Sequence, residues 1–154
     1  MKLSFNKKPV YNNTQLNIFS ADIKRGDVVW WNGEYPVSES EIKKTDPCFA
    51  VVQEKYGTKY VALRIEGSHE TRFVFLNSLL PAPYEIVYDL SKLVKGDTIY
   101  IIKPYVTAIT RFYDYNFYRD GNYFVIRGIG DVKNNSYFVD AEQIQQGKVR
   151  KIII

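Results

Sequence analysis

The stretch Lys24-Arg25-Gly26-Asp27-Val28-Val29-Trp30-Trp31 decides the fold, because its pattern returns as Val94-Lys95-Gly96-Asp97-Thr98-Ile99-Tyr100-Ile101. In both copies a Gly-Asp turn runs into an apolar or β-branched stretch. Glycine supplies the backbone freedom of a tight turn, and the run behind it reads as a buried strand. Asp27 and Asp97 lie 70 positions apart, close to half of the 154 residues. Two copies are too few for a solenoid, so the echo predicts a tandem pair of small strand-rich units; the alternative is one barrel with a coincidental echo.

Downstream of the first turn, Asn32-Gly33-Glu34 reads as a second turn, followed by a polar loop over residues 37–47. Pro36 and Pro47 bracket that loop and leave room for one helical turn but no long helix. Residues 48–53 and 59–65 form a predicted hairpin through Lys55-Tyr56-Gly57-Thr58. A further strand covers residues 71–76, and Asn77-Ser78-Leu79-Leu80 reads as a short helical turn. Pro81-Ala82-Pro83 is the expected boundary, giving units 1–83 and 84–154, the first with a polar extension over residues 1–22 that has room for a short strand near its end. The second unit repeats the order. A strand over 98–109 leads to a hairpin of residues 123–127 and 136–139 with its turn at Asp131-Val132-Lys133-Asn134-Asn135. Asp140-Ala141-Glu142-Gln143-Ile144 then reads as a polar cap opening a helical turn.

Composition agrees with a globular β protein. The chain is 45% hydrophobic and 25% charged, which excludes wholesale disorder. Thirteen Tyr and nine Phe favour strands, since flat rings pack well on a pleated surface. No apolar run approaches the roughly 18 residues of a membrane span, and Met1-Lys2-Leu3-Ser4-Phe5 has no apolar stretch behind it to make a secretory signal. Cys48 is the only cysteine, so no internal disulfide is expected, and a soluble, cytoplasmic protein is. A net charge of +4 permits contact with phosphate or with an acidic protein surface and demands neither.

The order of elements (Gly-Asp turn, strand, long loop, hairpin, further strand, short helical turn) is that of a Src-homology-3-like barrel, so the expected fold class is all-β with two such barrels in tandem. Within the first unit, Lys24-Arg25-Gly26-Asp27-Val28-Val29-Trp30, Ser38-Glu39 and Pro47-Cys48-Phe49-Ala50-Val51-Val52-Gln53 resemble the opening of the MazF/PemK toxin endoribonucleases. The resemblance covers residues 23–80 and implies a barrel that places an Arg on the scissile phosphate just before the proline. Here Thr45 and Asp46 precede Pro47, and an anion at that place repels the phosphate instead of stabilising a pentacovalent transition state. The family's Ser/Thr partner has only a loose counterpart in Ser68. The expectation is therefore a degenerate scaffold with no catalytic residues.

Other chemistry is sparse. His69 is the only histidine and lies in a polar turn, without the further ligands a metal site needs. Cys48 opens an apolar strand and reads as a small core hydrophobe. The carboxylates Glu39, Glu41, Asp46 and Glu54 are interspersed with lysines, as on a solvated loop. Gly128-Ile129-Gly130 follows a strand, but no helix follows it, which removes the basis of a phosphate cradle. Neither a cofactor nor a metal is expected.

The richest local feature is Thr110-Arg111-Phe112-Tyr113-Asp114-Tyr115-Asn116-Phe117-Tyr118-Arg119-Asp120, read as an aromatic insertion between strands. Phe112-Tyr113 and Phe117-Tyr118 are adjacent pairs, so strict alternation fails and some rings are expected at the surface. The candidate contact set is Arg111, Phe112, Tyr113, Tyr115, Phe117, Tyr118 and Arg119, with Trp31 or Trp30 added if one indole is exposed. Exposed Tyr and Arg serve as hot spots for a protein or as a stacking platform for single-stranded nucleic acid. Asp114 and Asp120 tilt the balance toward a protein or nucleoprotein partner. The bland alternative is a twisted ribbon whose rings pack on the barrel. The expected function is a non-enzymatic binding protein, in style of sequence suited to a phage or mobile-element factor that blocks a host system. Nucleic-acid binding and toxin-type RNA cleavage are the competing readings.

Overall fold

The two Gly-Asp turns are made by the same hydrogen bonds. Gly26 and Gly96 sit at φ of 90° and 98°, a region open to glycine and strained for other residues. Asp27 closes the first turn: its N–H donates to the Lys24 carbonyl (3.1 Å), and its carboxylate accepts from the Lys24 N–H (3.0 Å). Asp97 does the same with Val94 at 3.0 and 2.8 Å. Each turn is then clasped to a distant strand. Gly26 N–H donates to the Val52 carbonyl (2.8 Å) while Val52 N–H donates to the Asp27 carbonyl (2.9 Å); Gly96, Phe112 and Asp97 repeat the pair at 2.8 Å each.

The computed structural model describes residues 23–65, 70–129 and 134–154. The predicted N-terminal strand, Ser68 and His69, and Gly130 with the start of the Asp131–Asn135 turn lie outside them. The chain is all-β and divides into two units, residues 23–83 with 153–154 and residues 84–152. The first holds β1 (Val28–Trp31), β2 (Glu34–Ser38), β3 (Glu41–Lys44), β4 (Cys48–Tyr56), β5 (Tyr60–Ile65), β6 (Thr71–Phe75) and β7 (Leu79–Pro81). The second holds β8 (Tyr84–Ile86), β9 (Thr98–Ile102), β10 (Thr107–Tyr118), β11 (Tyr123–Ile129), β12 (Asn134–Asp140) and β13 (Val149–Ile152).

Strand order is β6-β5-β4-β1-β7 in one sheet and β12-β11-β10-β9-β13-β8 in the other, antiparallel throughout. Apart from the added edge strand β8, the two orders are the same path: four strands in meander (β1-β4-β5-β6 and β9-β10-β11-β12), with the last strand, β7 or β13, returning beside the first. This is the connectivity expected of Src-homology-3-like units. Each sheet remains open, with no strand pairing that closes it among the described residues. A short helical element precedes the returning strand in both. In the first unit it is a 3-10 turn, Leu76–Ser78. In the second it is α1 (Ala141–Gln145), started by a capping box in which Asp140 and Gln143 each accept from the other's backbone N–H at 2.7 and 2.9 Å.

Two expectations are corrected. The polar loop at 37–47 forms the hairpin β2–β3, which the first unit carries in place of the tight Lys103-Pro104-Tyr105-Val106 turn of the second. Proline permits this because β2 and β3 form a separate two-stranded ladder, where a missing donor costs little. The predicted strand 98–109 breaks at that tight turn, and residues 107–118 form one long strand. The aromatic segment is therefore part of β10 and not an insertion between strands.

Alternation places the cores. Val29 and Trp31 of β1, Ala50 and Val52 of β4, Val61 and Leu63 of β5, and Val74, Leu76 and Leu79 fill the first unit. Ile99, Ile101, Phe112, Ile126, Val139, Ile144 and Val149 fill the second. The register shows how one frame accepts two side-chain sets. Val52 stands opposite Leu63, two middle-sized residues; Phe112 stands opposite Gly128, a large residue against none. A Cβ at Gly128 would collide with the side chain of Thr110, whose buried hydroxyl has no hydrogen-bond partner in the structure. Gly128→Ala is therefore expected to destabilise the protein by about 1–3 kcal/mol through overpacking; unchanged urea unfolding of that variant would contradict this packing.

Candidate functional site

The non-alternating Phe112-Tyr113 pair has a local cause. The β10–β11 register shifts between Phe112 and Asp114, so Tyr113 is the extra residue of a β-bulge. Beyond it alternation resumes, with Tyr115 opposite Ile126, Phe117 opposite Phe124 and Tyr118 opposite Tyr123. The aromatics thus divide between two faces. Phe112 is core, Tyr115 packs on Phe112 and Phe124 with ring centroids 6.5 and 6.1 Å away, and Phe117 lies 4.8 Å from Phe124 near the hairpin end. Tyr113, Asp114 and Tyr118 belong to the outer face.

Two of the predicted contact residues are corrected here. Trp31 is fully buried in the first core, its indole N–H donating to the Glu34 carbonyl at 2.9 Å, and Trp30 is buried as well, edge-on to Phe49 at 4.9 Å. Phe112 is likewise buried. Alternation within an all-buried strand leaves neither indole at the surface. Arg111 is half-buried beside the Gly96 turn, and Arg119 is exposed in the turn that joins β10 to β11.

What the fold gathers on the outer face of β10, β11 and β12 is a smaller set. Tyr118 stacks on Tyr123 with centroids 5.3 Å apart and planes 14° from parallel, and Tyr123 meets Phe138 at 5.7 Å. Tyr118 is 47% exposed and Phe138 59%. Tyr123 and Phe138 escape a reading centred on residues 110–120, although alternation was a usable signal: Val139 is core, so Phe138 must point outward. Lys103, just past β9, reaches across to donate from its ammonium to the Phe138 carbonyl; burial lowers its pKa, opposed by Asp140.

A polar cluster adjoins the trio. Arg127 forms a two-point hydrogen-bonded ion pair with Asp114, its cross-strand neighbour. The Arg127 bonds hold the Asp114 carboxyl below the usual aspartate range, and Asp114 in turn raises the guanidinium. Arg127 and the Lys95 ammonium also face the ring of Tyr113, at 5.1 and 4.6 Å from its centroid. Asp114 therefore does not present a bare negative charge.

Among the described residues no group of three or more His, Cys, Asp or Glu is placed to hold a metal. Cys48 is half-buried and packs against the first core, and Asp46 is exposed between β3 and β4. No helix among them is long and apolar enough to cross a membrane. Comparison of the chain with protein-family models, with curated proteins and with solved structures finds no match.

The division of faces has a direct energetic consequence. Ile126→Ala, in the second core, is expected to cost about 2–5 kcal/mol. Phe138→Ala and Tyr118→Ala, whose rings are about half exposed on the outer face, are expected to cost less than about 1 kcal/mol. Chemical denaturation of the three variants checks this; a loss at Phe138 as large as at Ile126 would show that the ring is packing and not an available surface.

Proposed function

We propose that this chain is a non-enzymatic binding protein that docks a protein partner on the outer face of β10, β11 and β12. The carrying observation is the Tyr118-Tyr123-Phe138 trio, an aromatic surface ordered by ring stacking, with Tyr118 and Phe138 left about half in water. Stacked rings lose little side-chain freedom on binding, so they supply apolar contact at low entropic cost. Their border carries both signs: Arg119 and Asp120 in the adjoining turn, Arg127 paired with Asp114, and Lys103 near Asp140. An aromatic centre with a mixed-charge rim fits a protein surface better than a polyanion, which would need an excess of unpaired cations.

The toxin-like reading is weaker on the same grounds. Exposed Asp46 stands where the resembling family places its phosphate-binding Arg. The lone thiol of Cys48 favours a reducing compartment such as the cytoplasm.

A library of 12-residue peptides displayed on phage and selected on the immobilised full chain supplies a probe. Selected peptides, once synthesised, are expected to bind the chain and to lose about 30-fold or more in affinity at the β10–β12 face in Tyr118→Ala or Phe138→Ala, as for hot-spot residues. Selection no better than on a blank surface, or salt-dependent binding of a 20-nucleotide oligo-dT that those substitutions abolish, would overturn the proposal.

A further inference from the structure

The first unit carries the same trio. β4 ends in Tyr56, β5 begins with Tyr60, and Phe73 of β6 lies opposite Ala62, two residues into β5. In the second unit β10 ends in Tyr118, β11 begins with Tyr123, and Phe138 of β12 lies opposite Val125, again two residues in. The rings also make a similar cluster. Phe73 meets Tyr60 at 5.0 Å, stacked with planes 19° apart, and Tyr56 at 5.3 Å; Phe75 extends the row, 5.3 Å from Tyr60. Tyr56 is 46% exposed and Phe73 48%, close to Tyr118 and Phe138.

The correspondence is not a by-product of the shared core. Core positions at matched register differ in kind, as Leu63 against Gly128 and Trp31 against Ile101 show. The hairpin of the second unit is also two residues longer per arm beyond its bulge, since four positions separate Asp114 from Tyr118 and two separate Glu54 from Tyr56. The rings follow the hairpin end through that change of length. Packing does not require this, because the positions face solvent. A surface trio that keeps its place while the core is exchanged and the arms lengthen is kept by what it contacts.

We infer that the chain has two equivalent docking surfaces, the second formed by Tyr56, Tyr60 and Phe73, each taking the same class of ligand: a polypeptide segment with aromatic or aliphatic side chains at its centre and charges of both signs at its ends. The border of the first-unit trio supports this occupant. The Lys59 ammonium lies 5.5 Å from the Tyr60 ring centroid, while the Tyr56 hydroxyl donates to the Glu54 carboxylate at 2.9 Å, a bond that raises the tyrosine pKa. Arg72 beyond it is turned toward Tyr35, 4.5 Å from that ring, and ion-paired to Glu70. As at the second trio, cation and anion border the same rings, which suits a zwitterionic segment and opposes a polyphosphate chain.

This inference rests on the reading of the second-unit trio as a protein-docking face, and titration calorimetry separates the two. Peptides selected as above are titrated into the full chain, Phe73→Ala, Phe138→Ala and the double variant. The expected result is two peptides per chain, one for either single variant and none for the double. One peptide per chain, lost in Phe138→Ala and untouched by Phe73→Ala, overturns the second site and leaves the proposed function standing. Peptide binding that neither substitution changes overturns both. Binding of oligo-dT at two sites per chain, competing with the peptides, overturns the assignment of a polypeptide ligand.

Discussion

Everything distinctive in the two units is organised around the clasp between the Gly-Asp turn and the second long strand. At Val52 and Phe112 both backbone groups are committed to the turn on one side, while Leu63 and Gly128 stand opposite on the other. The next residue, Gln53 or Tyr113, has no place in the ladder and bulges out, and the register resumes at Glu54 or Asp114. A bulge at a fixed distance from the turn adds twist where the sheet must coil around its core, and it resets which side chains beyond it face outward. The carboxylates of Asp27 and Asp97 close the turn that makes this possible, which is why the sequence echo is one of turn chemistry and hardly at all of side-chain identity.

That origin explains what was legible in the sequence. The Gly-Asp turns, the runs behind them and the hairpins 48–65 and 123–139 follow from local chemistry: turn residues with defined φ requirements and period-two burial. The all-β class and the repetition came with them. The hairpin β2–β3 did not, because Glu34–Ser38 and Glu41–Lys44 are mostly exposed and pair only with each other, so no buried face marks them. The contact residues were half legible. Tyr113 and Tyr118 are at the surface as the broken alternation suggested, but the break is a bulge, and a bulge is fixed by pairing with Gly128 and Arg127, distant in sequence. Trp31 shows the converse: an indole counted as a contact residue only if exposed lies in a strand buried on both faces, which hides it and Trp30 alike.

In physical terms the functional account turns on the difference between rings that fill a core and rings that decorate a sheet. Tyr115 and Phe112 do the first, and Tyr118, Tyr123 and Phe138 the second, although all five lie within three adjacent strands. The ion pair of Arg127 with Asp114 neutralises the carboxylate that most opposed an anionic partner, yet it also occupies the guanidinium that would have served one. The balance of charge around both trios therefore stays mixed, and the rings carry the distinguishing chemistry. The occurrence of the trio in both units extends the duplication from backbone to surface.

The measurement that tests this account most directly is fluorine NMR of the chain labelled with 3-fluorotyrosine, in the presence of a soluble gadolinium chelate and assigned by single Tyr→Phe replacements. The account predicts clear broadening at Tyr56 and Tyr118, between that of the almost fully exposed Tyr105 and that of buried Tyr100, where little is expected. Protection of Tyr56 and Tyr118 comparable to that of Tyr100 would mean that these rings are packed away, and the two-surface account would fail.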